Sequence, residues 1–185
     1  MRADAQRNHE KILAAAEEIF ALDGVAVPID SVAERAGVGV GTLYRHFPTK
    51  ESLYEAIVIA RLSGLVERAD DYRGRLDPAD ALDAFLRDFA RQAAEKQDLF
   101  EALDQAGIDF KSRFAGLVDE LNHHVEVLRL SAVNAGSLRD DVNSGDIINL
   151  IIGTCHAAGH SGADGEDVQR LVSVVIAGLQ PLARR

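Results

Sequence analysis

Apolar residues recur along most of this chain at intervals of three and four, the spacing of one face of a helix. Within residues 5–23, Ile12, Ala15, Ala16, Ile19 and Phe20 repeat in this way against polar Arg7, Lys11, Glu17 and Glu18, and Asp23-Gly24 ends the segment. Ser31 and Glu34 have capping-box spacing, and Val32, Ala33 and Ala36 give the short helix they open an apolar side. Gly37 stops that helix, because glycine enters the left-handed region without Cβ strain. A third helix is expected from about Val40 to His46, stopped by Pro48. Thr49 caps a fourth, which runs to about Asp70 with Leu53, Ile57, Ala60 and Leu65 inward.

After a loop at Tyr72–Leu76, Asp77-Pro78 restarts a helix that runs to about Lys96 and carries Leu82, Phe85, Leu86 and Phe89 on one side. Asp98 and Glu101 open a short helix through Ala106, and Gly107 breaks it. A long helix is expected over Asp109–Val133, then a connector over Asn134–Asn143. The last two helices, residues 145–160 and 166–182, are apolar over too wide an arc for a helix with one solvated side. Asp164 caps the second of them. The expectation is an all-α chain of about nine helices.

The stretch from Ser31 to Leu53 has helix-turn-helix spacing. Ala33 lets two helices cross closely and Gly37 makes the turn. Leu43 and Phe47 share one face and turn inward. Val40, Thr42, Tyr44, Arg45 and His46 then fall largely on other faces, where such a helix would enter a major groove. Thr42, Tyr44 and Lys50 suit phosphate oxygens, and Arg45 suits a phosphate or a guanine edge. The same spacing also occurs in all-helical proteins that bind no DNA, so a helical protein-interaction module is the alternative.

The match becomes specific when many positions are taken together. Ile12, Leu13, Ala15, Ala16, Phe20 and Gly24 are followed by Ser31, Val32, Ala33, Ala36, Gly37 and Val38, and then by the unbroken run Gly41 to Leu53, GTLYRHFPTKESL. From about Gln6 to Ile57 the chain resembles the N-terminal signature of the TetR family of bacterial transcriptional regulators. The remainder resembles the family only in length and helical layout. The resemblance implies that Thr42, Tyr44 and Lys50 position the DNA backbone and that exposed residues of the Val40–His46 helix read bases. One departure lies at Val25–Ile29, where members often carry a polar residue such as Thr before the second helix. Here Asp30 or Ser31 is the polar cap.

Charge sharpens the reading. Net charge is −10, which argues against a general polyanion binder. Residues 1–55 hold six Lys and Arg against nine Asp and Glu. DNA binding must therefore rest on local placement of Arg7, Lys11, Arg45 and Lys50, with modest, salt-sensitive non-specific affinity. The single cysteine, Cys155, excludes an intramolecular disulfide. No signal-peptide core and no bilayer-length apolar run is present, so a cytoplasmic location without membrane partners is expected.

Candidate chemistry is sparse. Gly37-Val38-Gly39-Val40-Gly41 lacks the Gly-Lys-Ser/Thr ending of a phosphate loop. Cys155, His156 and His160 fall short of a zinc set, and no nucleophile–base motif is visible, so neither a metal, a cofactor nor an enzyme is expected.

The expected organisation is a head at residues 1–48, a linking helix at 49–70 and a second domain at 71–185. By the resemblance, the second domain holds an effector pocket and a dimer interface. Phe85, Phe89, Phe100, Phe110, Phe114, Leu117 and Leu121 would make an apolar chamber, with Asn122, His123, His124 or Glu126 supplying a polar group. Ile148, Ile151, Ile152, Cys155, Leu171, Val172, Val175 and Leu179 are the candidate interface of a homodimer, which would match a pseudo-palindromic operator. The regulator is expected to be a repressor released by a small, mostly apolar effector.

Overall fold

The computed structural model describes residues 2–94, 97–160 and 164–181, with backbone alone at residues 2, 3, 97, 98, 100, 101, 111 and 160. The described residues form ten helices. They are α1 (Arg2–Asp23), α2 (Ile29–Ala36), α3 (Val40–His46), α4 (Lys50–Arg75), α5 (Pro78–Ala94), α6 (Gln97–Gln105), α7 (Phe110–Arg113), α8 (Ala115–Asn134), α9 (Ser144–His160) and α10 (Gly165–Gly178). The all-α class holds.

The clearest differences from the sequence reading are at four boundaries, three of them with a local reason. The helix expected from Ser31 starts two residues earlier, at Ile29. Pro28 stands at its N-cap in extended geometry and no side chain caps it. The Ser31 amide instead donates to the Pro28 carbonyl at 3.1 Å, so the Ser31–Glu34 box is not used. The fourth helix continues to Arg75 through the stretch expected to be a loop. Ion pairs at helical spacing, Arg73–Asp70 and Arg75–Asp71, run along that last turn. The long helix expected from Asp109 is broken at Phe114, whose φ of −113° and ψ of 20° leave the helical region. The last helix ends at Gly178, and residues 182–185 lie outside the described part.

Other stops and starts follow the expected chemistry. Gly37 takes φ 66° and its amide donates to the Glu34 carbonyl. Thr49 caps α4, with its hydroxyl accepting from the Ser52 amide at 3.1 Å while Ser52 Oγ accepts from the Thr49 amide. Asp77 caps α5 by accepting from the amides of Ala79 and Asp80, and Asp164 caps α10 by accepting from those of Glu166 and Asp167.

The chain forms two compact units. The first comprises Met1–Ala60 and Asp98–Arg113, the second Arg61–Gln97 and Phe114–Arg185. In the first, Ile12, Ala16, Val32, Ala33, Leu43, Leu53 and Ile57 are buried, joined by Leu99 and Leu103 of α6. In the second, α5 is the central element, and Leu82, Phe85 and Leu86 are buried with Val125, Leu128, Ile147, Ile151 and Val172. No helix among the described residues is long and apolar enough to cross a membrane.

Candidate nucleic-acid interface

The first unit sets α3 by burying two of its anchors and leaving the rest outside. Leu43 is fully buried and Phe47 nearly so. Val40, Tyr44 and Arg45 are exposed, and Thr42 and His46 are half-buried. The exposed pair Val40 and Tyr44 is one helical turn apart, on one outward strip. This is the arrangement that a helix needs to enter a groove: an apolar back held by the body and an exposed outward face.

Neighbouring turns hold that front in place. The Tyr54 hydroxyl donates to the Val25 carbonyl at 2.6 Å, and its ring meets Phe20 edge-on. Lys50 Nζ donates to the Val27 carbonyl at 2.7 Å. Together these tie the first turns of α4 to the loop before α2, the stretch where the chain departs from the common pattern. Burial pushes the Lys50 ammonium below its ordinary range, with Glu51 opposing. An ammonium has three donors, so the Val27 bond leaves two for a phosphate. The Tyr44 hydroxyl lies 3.4 Å from Asp30 Oδ1, a long contact between exposed groups. Arg35 pairs with Glu18 at 2.8 Å, which ties α2 to α1 and takes one cation out of the balance.

One neighbour was not legible in the sequence. His9 of α1 lies over the end of α3, with its ring 5.0 Å from that of Phe47 and 6.0 Å from that of His46. Burial and the charge of His46 hold the His9 imidazolium below its ordinary range, against a smaller opposing effect of Glu10.

The residues expected to line an effector chamber are shared between the two units. Phe85 and Phe89 are buried on α5 with nearly parallel rings 6.3 Å apart. Phe114 and Leu121 are buried in the same unit and Leu117 is half-buried. Phe110 belongs to the first unit, and the Phe100 side chain lies outside the described residues. Of the polar candidates, His124 Nδ1 is 3.2 Å from Asp70 Oδ1 and Glu126 is paired with Arg129, while Asn122 and His123 are exposed. The buried polar group beside Phe85 and Phe89 is instead Asp88, which accepts from Arg68 of α4 and Arg91 of α5. Its signal was a carboxylate three residues after Phe85, within an apolar stripe. A separate cleft of about 170 Å³ is lined by Leu82, Leu86, Ala132, Leu138, Ile176 and Leu179, with Asp80 and Asp83 among its polar residues.

The interface candidates divide in the same way. Ile151, Cys155, Val172 and Leu179 are buried within the chain itself, because α9 and α10 pack on α5 with those faces. Ile148 and Val175 are half-buried. Ile152 and Leu171 are exposed, and with Leu150 and Val174 they leave an apolar surface on the two helices.

Comparison with known proteins agrees with this geometry. Residues 12–57 match the family model described as bacterial regulatory proteins, tetR family, and residues 77–181 match that of the transcriptional regulator SbtR-like C-terminal domain. A TetR transcription regulatory protein from Mycobacterium vanbaalenii has a crystal structure similar to this one, with TM-score 0.78 and 35% identity over 97% of this chain and 99% of that one. The TetR transcriptional regulator SCO0520 from Streptomyces coelicolor gives TM-score 0.77 and 31% identity over 95% and 99%. The HTH-type transcriptional regulator SrpR of Pseudomonas putida is 23% identical over 98% of this chain and 88% of its own.

Proposed function

We propose, starting from the fact that this chain belongs to the TetR family of bacterial transcriptional regulators, that it is a homodimeric repressor released from its operator by a small, mostly apolar effector. Family membership makes it a helix-turn-helix DNA-binding regulator of transcription rather than an enzyme. The finer reading rests on the residues of α3 and on Lys50 at the start of α4. Val40 and Arg45 reach base edges. Thr42, Tyr44, His46 and Lys50 hold phosphates. The observation that carries it is the split within α3, where Leu43 is fully buried while Tyr44 and Arg45 stand outside.

Two copies are needed because one seven-residue helix reads too few base pairs for a unique site. The exposed apolar residues Leu150, Ile152, Leu171 and Val174 support pairing through α9 and α10. The effector binds within the second unit near Phe85, Phe89, Phe114, Leu117 and Leu121, and acts on DNA through α4, which runs from Lys50 to Arg75. A hundredfold preference of the effector for the DNA-free form corresponds to about 2.7 kcal/mol of coupling.

The test is selection of bound genomic fragments, repeated with a variant lacking the Tyr44 and Lys50 side chains. Enrichment of a pseudo-palindromic site by the parent alone supports the reading. No enrichment by a folded dimeric parent, with or without effector candidates present, overturns it. A thermal-shift screen checks the effector class. Stabilisation only by highly charged metabolites would contradict an apolar one.

A further inference from the structure

The molecule is acidic, and its DNA-binding unit has few cations to spend. Arg7 is paired with Asp4 and Arg35 with Glu18, which leaves Lys11, Arg45, Lys50 and whatever charge the histidines carry. In such a head, one added proton is a large fractional change in the charge facing a phosphate backbone. The two histidines here are not independent. Their rings are 6.0 Å apart, in edge-on orientation, and both lie against Phe47.

We propose that His9 and His46 form a coupled proton-binding pair, and that operator binding loads one proton onto His46, so that DNA affinity rises as pH falls through the histidine range. This rests on the reading that His46 faces a phosphate. In the free protein, each imidazolium disfavours the other across that short gap. Burial further opposes charge on His9. Two charges on the pair are therefore disfavoured before DNA is bound. A phosphate beside His46 favours the imidazolium, and the proton comes from solvent. His9 stays neutral, and its ring, seated on Phe47, positions the His46 imidazole.

The charged groups that act on His9 are His46 from α3 and Glu10 from its own helix. Glu10 is engaged by Gln6 Nε2 at 2.8 Å. The other charges of the surrounding turns are Asp4, Arg7 and Lys11 on α1, Arg45 on α3 and Lys50 on α4. Carboxylates, guanidinia and alkylammonium groups ordinarily hold their charge between pH 6 and 8. Burial lowers the Lys50 ammonium from the lysine range, Glu51 opposes that, and Nζ donates to the Val27 carbonyl. The histidine pair is left as the origin of a pH dependence in that window.

The experiment uses the full-length protein and a duplex recovered by selection from a random-sequence library, at constant ionic strength between pH 6 and pH 8. Kd is measured together with proton uptake, by calorimetry in two buffers of different ionisation enthalpy. The parent is expected to bind about three- to tenfold more tightly at pH 6 than at pH 8, with up to one proton taken up. His46→Gln should flatten the profile at the weak, high-pH level. His46→Lys should flatten it at the tight level, an outcome that a merely structural role for His46 would not give. His9→Gln should keep a single-histidine profile but shift its midpoint, because the neighbour that restrained His46 is gone. A parent that binds with no pH dependence overturns the pair. So does a pH dependence that survives in the His9→Gln, His46→Gln double variant. Failure to recover any duplex would instead count against the regulator reading itself.

Discussion

Gly37 shows how one residue sets the turn on which the head depends. Its φ of 66° lies where L side chains are strained, and a Cβ added there would meet nothing within 4 Å. Gly37→Ala should therefore cost only backbone strain, about 1 to 2 kcal/mol, read as a lower urea midpoint with the fold retained. A larger loss would mean that the turn is packed against something. Cys155 makes a different single-residue prediction. Its thiol is buried, with Sγ 3.5 Å from the Ala90 carbonyl, and burial pushes its pKa up. The native protein should resist a thiol reagent at pH 8 and react at the free-thiol rate once denatured. Fast native labelling would show that α9 opens from α5.

Among the elements, α3 and the α4–α5 pair carry the sharpest expectations. Replacing Lys50 by Ala should weaken all duplexes about equally and flatten the salt dependence, whereas Arg45→Ala should relax discrimination at one base position by about 1 to 3 kcal/mol. Equal loss on every sequence in a binding array would assign Arg45 to phosphate instead. Asp88 joins α4 to α5 by accepting from Arg68 and Arg91, with Gln92 Nε2 at 3.3 Å. Asp88→Asn removes the charge and leaves two guanidinium partners underserved, so a loss of about 1 to 3 kcal/mol in denaturation at pH 7 is expected. The helices themselves were legible because glycine, proline and short polar caps punctuate them: Gly37, Thr49, Asp77 and Asp164 act as their chemistry requires. The start of α2 was misread because Pro28 supplies the N-cap geometry through its backbone, leaving Ser31 inside the helix. The break at Phe114 was not legible, since the nearest glycine, Gly116, lies inside α8 and not at the break. In the site, the inward Leu43 and outward Tyr44 follow from periodicity, but His9 and Asp88 do not. Their roles depend on which side chains distant turns bring beside them.

For the whole molecule, assembly decides whether a weak single head becomes a regulator. Val174 is 68% exposed and Leu171 39%. The double change Val174→Asp and Leu171→Asp should leave the protomer folded, since its buried Val172 and Ile151 are untouched, while converting a dimer to monomer at micromolar protein in sedimentation. Operator affinity should fall with it by at least about a hundredfold, as one head loses the tethering of the other. A variant that stays dimeric would place the interface elsewhere. The way the chain is divided has another consequence. The DNA-reading unit is assembled from two stretches, Met1–Ala60 and Asp98–Arg113, and Arg113 grips Glu55 through two bonds of 3.0 and 2.6 Å. A chimera that transplants only the N-terminal stretch onto another regulator's body would leave behind Leu99, Leu103 and Arg113. Grafting for a new operator specificity would need to carry both stretches, or confine its exchanges to the outward residues of α3.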